Sequence, residues 1–354
     1  MLYRENGQFK TSYRKDQQIF PILQDRWVIG ALIAFAFIAV PLFTSDYVFR
    51  ALLIPFLILA LAAIGLNLLV GYCGQISLGA GAFMAVGAYA AYNLFVRIPG
   101  INLIITFILA GLITMVVGLI FGVPSLRIKG LYLSVATLAA QFFSDWIFSR
   151  VPWLTNNSAS GSVSVPSLEV FGLPVVSPVQ KYWFVLLFVV VFALLAKNLV
   201  RGHIGRSWMA MRDMDVAAAV IGIRPLQAKL SAFAVSSFFI GVAGALWGFI
   251  YLGSWEPAAF DVNRSLNLLF MIIIGGLGSI MGSFFGAAFI VVLPILLNQL
   301  PAWLGIPLST AAVTHLEFMI FGALIVFFLI VEPHGLARLW SIGKEKLRLW
   351  PFPH

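Results

Sequence analysis

Charge is what this chain of 354 residues has least of. Charged residues make up 10% of it, whereas soluble globular domains need roughly 25% to face water. Cysteine is reduced to Cys73 alone, which excludes a disulfide framework and a thiolate metal site. No Gly-x-x-x-x-Gly-Lys-Ser/Thr loop, no Gly-x-Ser-x-Gly elbow and no His/Cys cluster at zinc spacing occurs, so phosphate-cradling, serine-hydrolase and zinc chemistry have no carrier here. No catalytic residue, cofactor or metal is therefore expected on this chain. What is abundant is apolar: 61% of residues are hydrophobic, with 32 Phe and 31 Gly, and the mean hydropathy is +1.01. This excludes a soluble enzyme, a disordered chain and a coiled coil, and predicts an all-α, polytopic integral membrane protein. Lys and Arg number 22 against 13 Asp and Glu, a net charge of +9. In a membrane protein that excess marks cytoplasmic loops rather than a nucleic-acid partner.

Apolar stretches near the ~20 residues needed to cross hydrocarbon run over 27–43, 50–70, 76–96, 101–122, 130–148, 182–200, 229–252, 265–298 and 313–331. The polar segment before the first, with Arg4, Lys10, Arg14 and Lys15, lacks the pattern of a cleavable signal and reads as cytoplasmic. Stretch 265–298 is too long for one crossing and is interrupted by Gly275, Gly276 and Gly278, so it is either two short helices or a broken one. Basic residues cluster in loop 197–229 (Lys197, Arg201, Arg206, Arg212, Arg224, Lys229), in the tail (Arg338, Lys344, Lys346, Arg348) and at Arg127 and Lys129. Placing all of them inside predicts about ten crossings with both termini cytoplasmic, the pair within 265–298 being short crossings or a re-entrant hairpin. The organisation is then a cytoplasmic segment 1–26, one membrane domain 27–331 and a cytoplasmic tail 332–354. Loops 149–181 and 253–264 are external.

Within the spans, Gly278/Gly282/Gly286, Gly118/Gly122 and Gly244/Gly248 recur every four residues, the spacing of close helix packing. Gly71, Gly74, Gly79, Gly81 and Gly87, with Gln75 and Ser77, are denser than packing requires. That stretch is expected to bend or unwind and to line a pathway, because irregular backbone at membrane depth is tolerated where it borders a cavity. The pathway-lining set is Asn67, Gly71, Gly74, Gln75, Ser77, Gly79 and Phe83. Asn67, Asn93, Thr137 and Gln141 are mid-span polar groups that need partners, either other helices or substrate. Asp145, Glu317 and His315 fall near helix ends, where a structural role outweighs a proton relay or a metal site. Residues 74–89 (GQISLGAGAFMAVGAY) and 276–289 (GLGSIMGSFFGAAF) are alike enough for an internal repeat, of which inverted halves are common in transport folds, although shared glycine content alone produces such a likeness.

The cytoplasmic loop 201–229 is more than a connector. Ser207 is expected to cap a turn bearing Trp208 and Met211, and Asp215 to cap a second helix that ends at Gly222. A solvated connector would not display Trp208, Met209, Met211 and Met214, so a docking role for the loop follows.

At this loop the chain resembles the permease subunits of the branched-chain amino acid ATP-binding-cassette importers. The matching positions are Gly205, Arg206, Ala210, Arg212, Asp213, Asp215, Ala217, Ala218, Gly222, Ile223, Lys229, Leu230, Ala232 and Phe233. A second block supplies Gly65, Leu66, Asn67, Leu68, Gly71, Gly74, Ser77, Gly79, Phe83, Gly87, Ala88 and Tyr89, and a third Pro124, Leu126, Arg127, Gly130, Tyr132, Thr137 and Leu138. This third block and the ending EPHGL at 332–336 look like the second of the two paired permeases. Two positions depart from the family pattern: Met214 replaces the usual Asn or Asp, and Ser158 to Gly161 replace Thr-Gly-Gly after Asn156 and Asn157. The resemblance implies a second homologous permease, two ATPase subunits that bind and hydrolyse ATP, and an external or periplasmic substrate-binding protein, all at a bacterial inner membrane. It implies that Gly205, Arg206, Trp208, Met211, Arg212, Asp213, Asp215, Ala217, Ala218 and Gly222 couple this chain to the ATPase. Near relatives carry urea, short amides or aromatic acids. From another class, a self-sufficient secondary transporter or channel would need ionisable groups at the midplane, and the spans offer almost none.

Overall fold

The computed structural model describes residues 11–12, 18, 20, 23–125, 132–158, 160–166, 168–170, 173–304, 310–331 and 334–349. Arg4, Lys10, Arg14, Lys15, Leu126, Arg127, Lys129, Gly130 and Glu332 lie outside the described residues, as do the side chains of Pro124, Tyr132, Glu317 and Arg348.

The first helix, α1, runs Leu23–Ala34, passes through a π-helical turn at Phe35–Ala39 and ends in Val40–Phe43. The next, α2, starts at Asp46–Val48, passes a second π-helical stretch at Phe49–Leu53 and continues as Ile54–Cys73. There follow α3 (Ala80–Arg97), α4 (Leu103–Ser125), α5 (Tyr132–Arg150) and α6 (Pro178–Arg201). Two short helices, α7 (His203–Asp213) and α8 (Asp215–Val220), lead to α9 (Pro225–Leu246, extended by the π-helical Trp247–Leu252). The chain closes with α10 (Val262–Gly275), α11 (Ile280–Leu304), α12 (Thr310–Val331) and α13 (Gly335–Leu349). Short strands β1 (Val163–Ser164), β2 (Glu169–Val170), β3 (Leu173–Pro174) and β4 (Ser254–Trp255) pair antiparallel as β1 with β4 and β2 with β3. The molecule is an all-α, polytopic membrane protein. Among the described residues seven helices are long and apolar enough to cross a bilayer: Asp25–Phe43, Asp46–Cys73, Leu103–Val123, Pro178–Arg201, Pro225–Leu252, Pro257–Gly275 and Ile280–Gln299.

Central position follows composition. A helix apolar on every side has no face to give to water and can be surrounded by others. α2 is such a helix, with every residue from Leu57 to Cys73 buried, and α9 packs against it, α3 and α4. Glycine permits those contacts. A Cβ on Gly87 would overlap the backbone of Gly241, one on Gly244 would overlap Met84, and one on Gly118 would overlap Ser237. The four-residue glycine spacing is thus helix packing here, as it is at Gly282 and Gly286, which meet Gly275 and Met271 across the α10–α11 pair. Phenylalanine fills the remainder: Phe107 lies 5.4 to 5.9 Å from Phe249, Phe184 and Phe188.

α1 is the least buried of these helices and is held by donors from α6. Tyr182 Oη donates to Ala36 O (3.0 Å) and Trp183 Nε1 to Phe37 O (3.1 Å), both within the π-helical turn. A π turn releases backbone carbonyls, and in hydrocarbon a released carbonyl must find a donor. α6 itself begins with a reciprocal cap, Ser177 accepting from Gln180 N while Gln180 Oε1 accepts from Ser177 N. Lys181 therefore lies in the first turn of a helix and not in the external loop.

The ambiguous stretch 265–298 resolves into two helices, α10 and α11, joined at 276–279, and α11 is full length. α10 begins at Val262, capped by Asp261, whose carboxylate accepts from Arg264 N at 3.0 Å. Arg264 thus sits on a helix, where the sequence predicts a loop.

Candidate functional site

Loop 201–229 folds as α7 and α8. Gly205, Trp208 and Met211 recur every three residues on α7, and that stripe faces the bundle. Trp208 is fully buried, its Nε1 donating to Ser231 Oγ on α9 at 2.9 Å, and Met211 is buried beside it. This corrects the reading that they are displayed for docking: they anchor the loop to its own protein. The apolar residues that are displayed lie further on: Met214, Val216, Val220 and Ile221 are 71 to 83% exposed. Ser207 does not cap a turn; it lies inside α7 and donates to Ile204 O at 2.6 Å. Asp215 is the first residue of α8 and makes no capping bond, while Met214, extended at φ −153°, forms the elbow between the helices. Gly222 ends α8 at φ +93°, a conformation that an L side chain adopts only with strain, and Ile223 N closes the turn on Ala218 O at 3.0 Å. Ala218 is buried beneath α8, whereas Arg206, Asp213 and Ala217 are exposed.

Arg212 connects this loop to the bundle. Its Nη1 donates to Gly71 O (2.9 Å), while Nε and Nη2 hold the neighbouring Asp213 at 2.9 Å. The peptide it grips is where α2 ends. The chain turns at Gly74 (φ +73°) and runs without helix through 74–79 before α3 begins at Ala80. A Cβ on Gly74 would stand 3.0 Å from Arg212 Cγ. The glycine-dense stretch does unwind, and its donors are met by side chains: Leu78 N bonds Thr137 Oγ1 (2.9 Å), Gly81 N bonds Ser265 Oγ (2.7 Å) and Ala82 N bonds Gln141 Oε1 (2.6 Å). Gln141 also donates to Phe260 O at 2.7 Å. These mid-span groups find helix and backbone partners, and Asn93 likewise donates to Tyr89 O and Leu154 O, both at 2.8 Å.

A second break, 276–279, leans on the first. Asn67, one turn and a half before the end of α2, donates through Nδ2 to Ser279 O (2.9 Å), Ser283 Oγ (3.0 Å) and Gly276 O (3.3 Å), and its Oδ1 accepts from Gly278 N (2.9 Å). Gly71 and Gly278 touch backbone to backbone, so that a Cβ on Gly71 would overlap both Asn67 Oδ1 and Gly278 N. The end of α2, the second break and loop 201–229 therefore converge on one point. Of the expected pathway residues, Asn67, Gly71, Gln75, Ser77, Gly79 and Phe83 are buried and Gly74 is exposed; Phe83 packs edge-on against Phe233 at 5.6 Å. Gly276, Gly278 and Ser283, which complete the junction, were not singled out as site residues by sequence. The interruption Gly275-Gly276-Leu277-Gly278 is the only local signal for them.

At the other end of α3, Tyr89 stacks on Phe148 (4.2 Å), meets Trp255 edge-on (6.1 Å) and donates to Gly161 O (2.9 Å). The segment that departs from the family pattern is thus fastened to the bundle through Gly161 and the β1–β4 pair.

Fold and junction together define a polytopic membrane permease: an apolar bundle, two broken helices and a helical loop outside the membrane that grips both breaks. Residues 48–329 match the family described as branched-chain amino acid transport system / permease component, and the chain belongs to that family. It is 28% identical over 307 residues to the high-affinity branched-chain amino acid transport system permease protein LivM of Salmonella typhimurium and, over the same length, to that of Escherichia coli. Each alignment covers 79% of this chain and 68% of the relative. No solved structure matches the chain.

Proposed function

We propose that this chain forms half of the translocation pathway of an inner-membrane ATP-binding-cassette importer for branched-chain amino acids. Its partners are a second homologous permease, two ATPase subunits that supply ATP hydrolysis, and an external binding protein that delivers the amino acid. The observation that carries this reading is the Arg212–Gly71–Gly278 junction. Any displacement of α7 and α8 by a partner below pulls on the ends of α2 and α10 together. The exposed Met214, Val216, Val220 and Ile221 give such a partner an apolar surface to hold.

The same geometry supports ten crossings with both termini inside. Lys344 on α13 pairs with Asp25 at the start of α1 (2.9 Å), and Lys197 near the end of α6 lies 3.7 Å from the Phe20 ring centroid. The two chain ends and the base of the cytoplasmic loop therefore share one face, as an even number of crossings requires.

The test is ATP-driven uptake of leucine by the complete complex in proteoliposomes. Arg212→Ala should insert and assemble normally, retain ATP hydrolysis and lose most uptake. Normal transport by this variant, with unchanged stimulation of the ATPase, refutes the assignment.

A further inference from the structure

Arg264 is a cation that feels the Asp261 carboxylate through space but makes no ion pair with it. It lies three residues into α10, within the membrane-crossing segment Pro257–Gly275. Its guanidinium carbon stands 4.5 Å from the centroid of the Trp247 ring. Its Nε is buried with no acceptor, and the Trp247 Nε1 donor beside it is likewise buried and unpaired. Asp261, the carboxylate nearest in sequence, is already engaged: Oδ1 accepts from Arg264 N at 3.0 Å and Oδ2 from Asn263 Nδ2 at 2.7 Å. Among the described residues no ion pair reaches the Arg264 guanidinium. The residue as a whole is half-buried, and the 39%-exposed Tyr251 ring lies tilted against Trp247 at 4.4 Å.

An ionised side chain inside a crossing segment is costly, and buried donors almost always have acceptors. The ring face of Trp247 attracts a cation but offers no lone pair. What these two donors lack is an anionic acceptor with two oxygens, the shape that a guanidinium fork recognises. Trp247 also opens the π-helical stretch Trp247–Leu252, and π-helical turns recur at functional positions because they re-aim side chains.

We infer that Arg264, with Trp247, forms a carboxylate-binding subsite that receives the α-carboxylate of the transported amino acid. This rests on the importer reading above and deepens it, since urea or a neutral amide can accept a hydrogen bond from the guanidinium but brings it no counter-charge.

The test uses the assembled complex with wild-type, Arg264→Gln and Arg264→Lys chains. Wild-type uptake of L-leucine and of urea decides the importer reading; a wild type that carries urea but not leucine overturns both readings. Given leucine uptake, R264Q should lower it at least about tenfold, the loss of a charged hydrogen bond, and R264K should recover part of it. Titration of the detergent-purified complex with L-leucine and with L-leucinol, which lacks the carboxylate, bypasses selection by the binding protein. Wild type should prefer leucine, and R264Q should bind the two alike. Equal affinity of wild type for both ligands, or leucine uptake by R264Q within twofold of wild type, overturns the subsite while the importer reading stands. Loss of the partner permease from purified R264Q also overturns it, in favour of a subunit contact.

Discussion

Replacing Asn67 by Leu keeps the branching of the side chain and removes all of its hydrogen bonding. Three of the bonds lost are short, to Ser279 O, Ser283 Oγ and Gly278 N at 2.9 to 3.0 Å. At ~0.6 kcal/mol each, the average found inside membrane bundles, they amount to about 2 kcal/mol. The Gly278 N–H left without an acceptor costs on the order of 1 kcal/mol more. Melting of the detergent-purified complex should fall by about 4 °C or more. Asn298→Leu is the control, because Asn298 is exposed and, among the described residues, donates only to Pro294 O of its own helix. It should melt within about 1 °C of wild type. If Asn67→Leu melts with that control, the two breaks are not held to one another through Asn67 and the junction has been misread.

Gly222→Ala introduces a methyl group into open space, so its cost is conformational only, about 1 kcal/mol from the left-handed backbone. Uptake should fall through loosening of α8 while the amount of chain in the membrane stays unchanged, as immunoblots of membrane fractions will show. For the topology, Cys73 is the one native cysteine and is buried, so single cysteines can be read in a Cys73→Ala background. Cysteines at Ser12 and Lys346 should react with a membrane-impermeant maleimide from the cytoplasmic side only, and one at Ser160 from the external side only.

Features that depend on composition or on local backbone demands are legible in the sequence. Charge scarcity and hydropathy place the chain in a bilayer, and glycine density at 71–87 and 275–278 marks both breaks. Features that depend on a distant partner are not. Asn67 reads as a polar group in need of bonds, but its partners lie 209 to 216 residues away. Trp208 and Met211 read as a docking face because a short helix shows which residues share a stripe and not which way the stripe turns. Arg264 is misplaced for a different reason. The apolar run starts only after it, although Asp261, three residues earlier, carries the side-chain oxygen of a helix cap.

The likeness between GQISLGAGAF and GLGSIMGSFF changes meaning in three dimensions. An inverted repeat would bring the two glycine breaks to opposite faces of the membrane. Instead α2 and α10 meet at their C-terminal ends, through Asn67 and Gly276, and Arg212 reaches the point where the first break begins beside the second. The two breaks nevertheless differ in course: 276–279 turns at the C-terminal end of α10, whereas 74–79 runs along that helix, so that α3 begins beside Phe260, Asp261 and Ser265 at its other end. Arg212 stands where the first break begins beside the second, so the proposed coupling would reach both through one side chain.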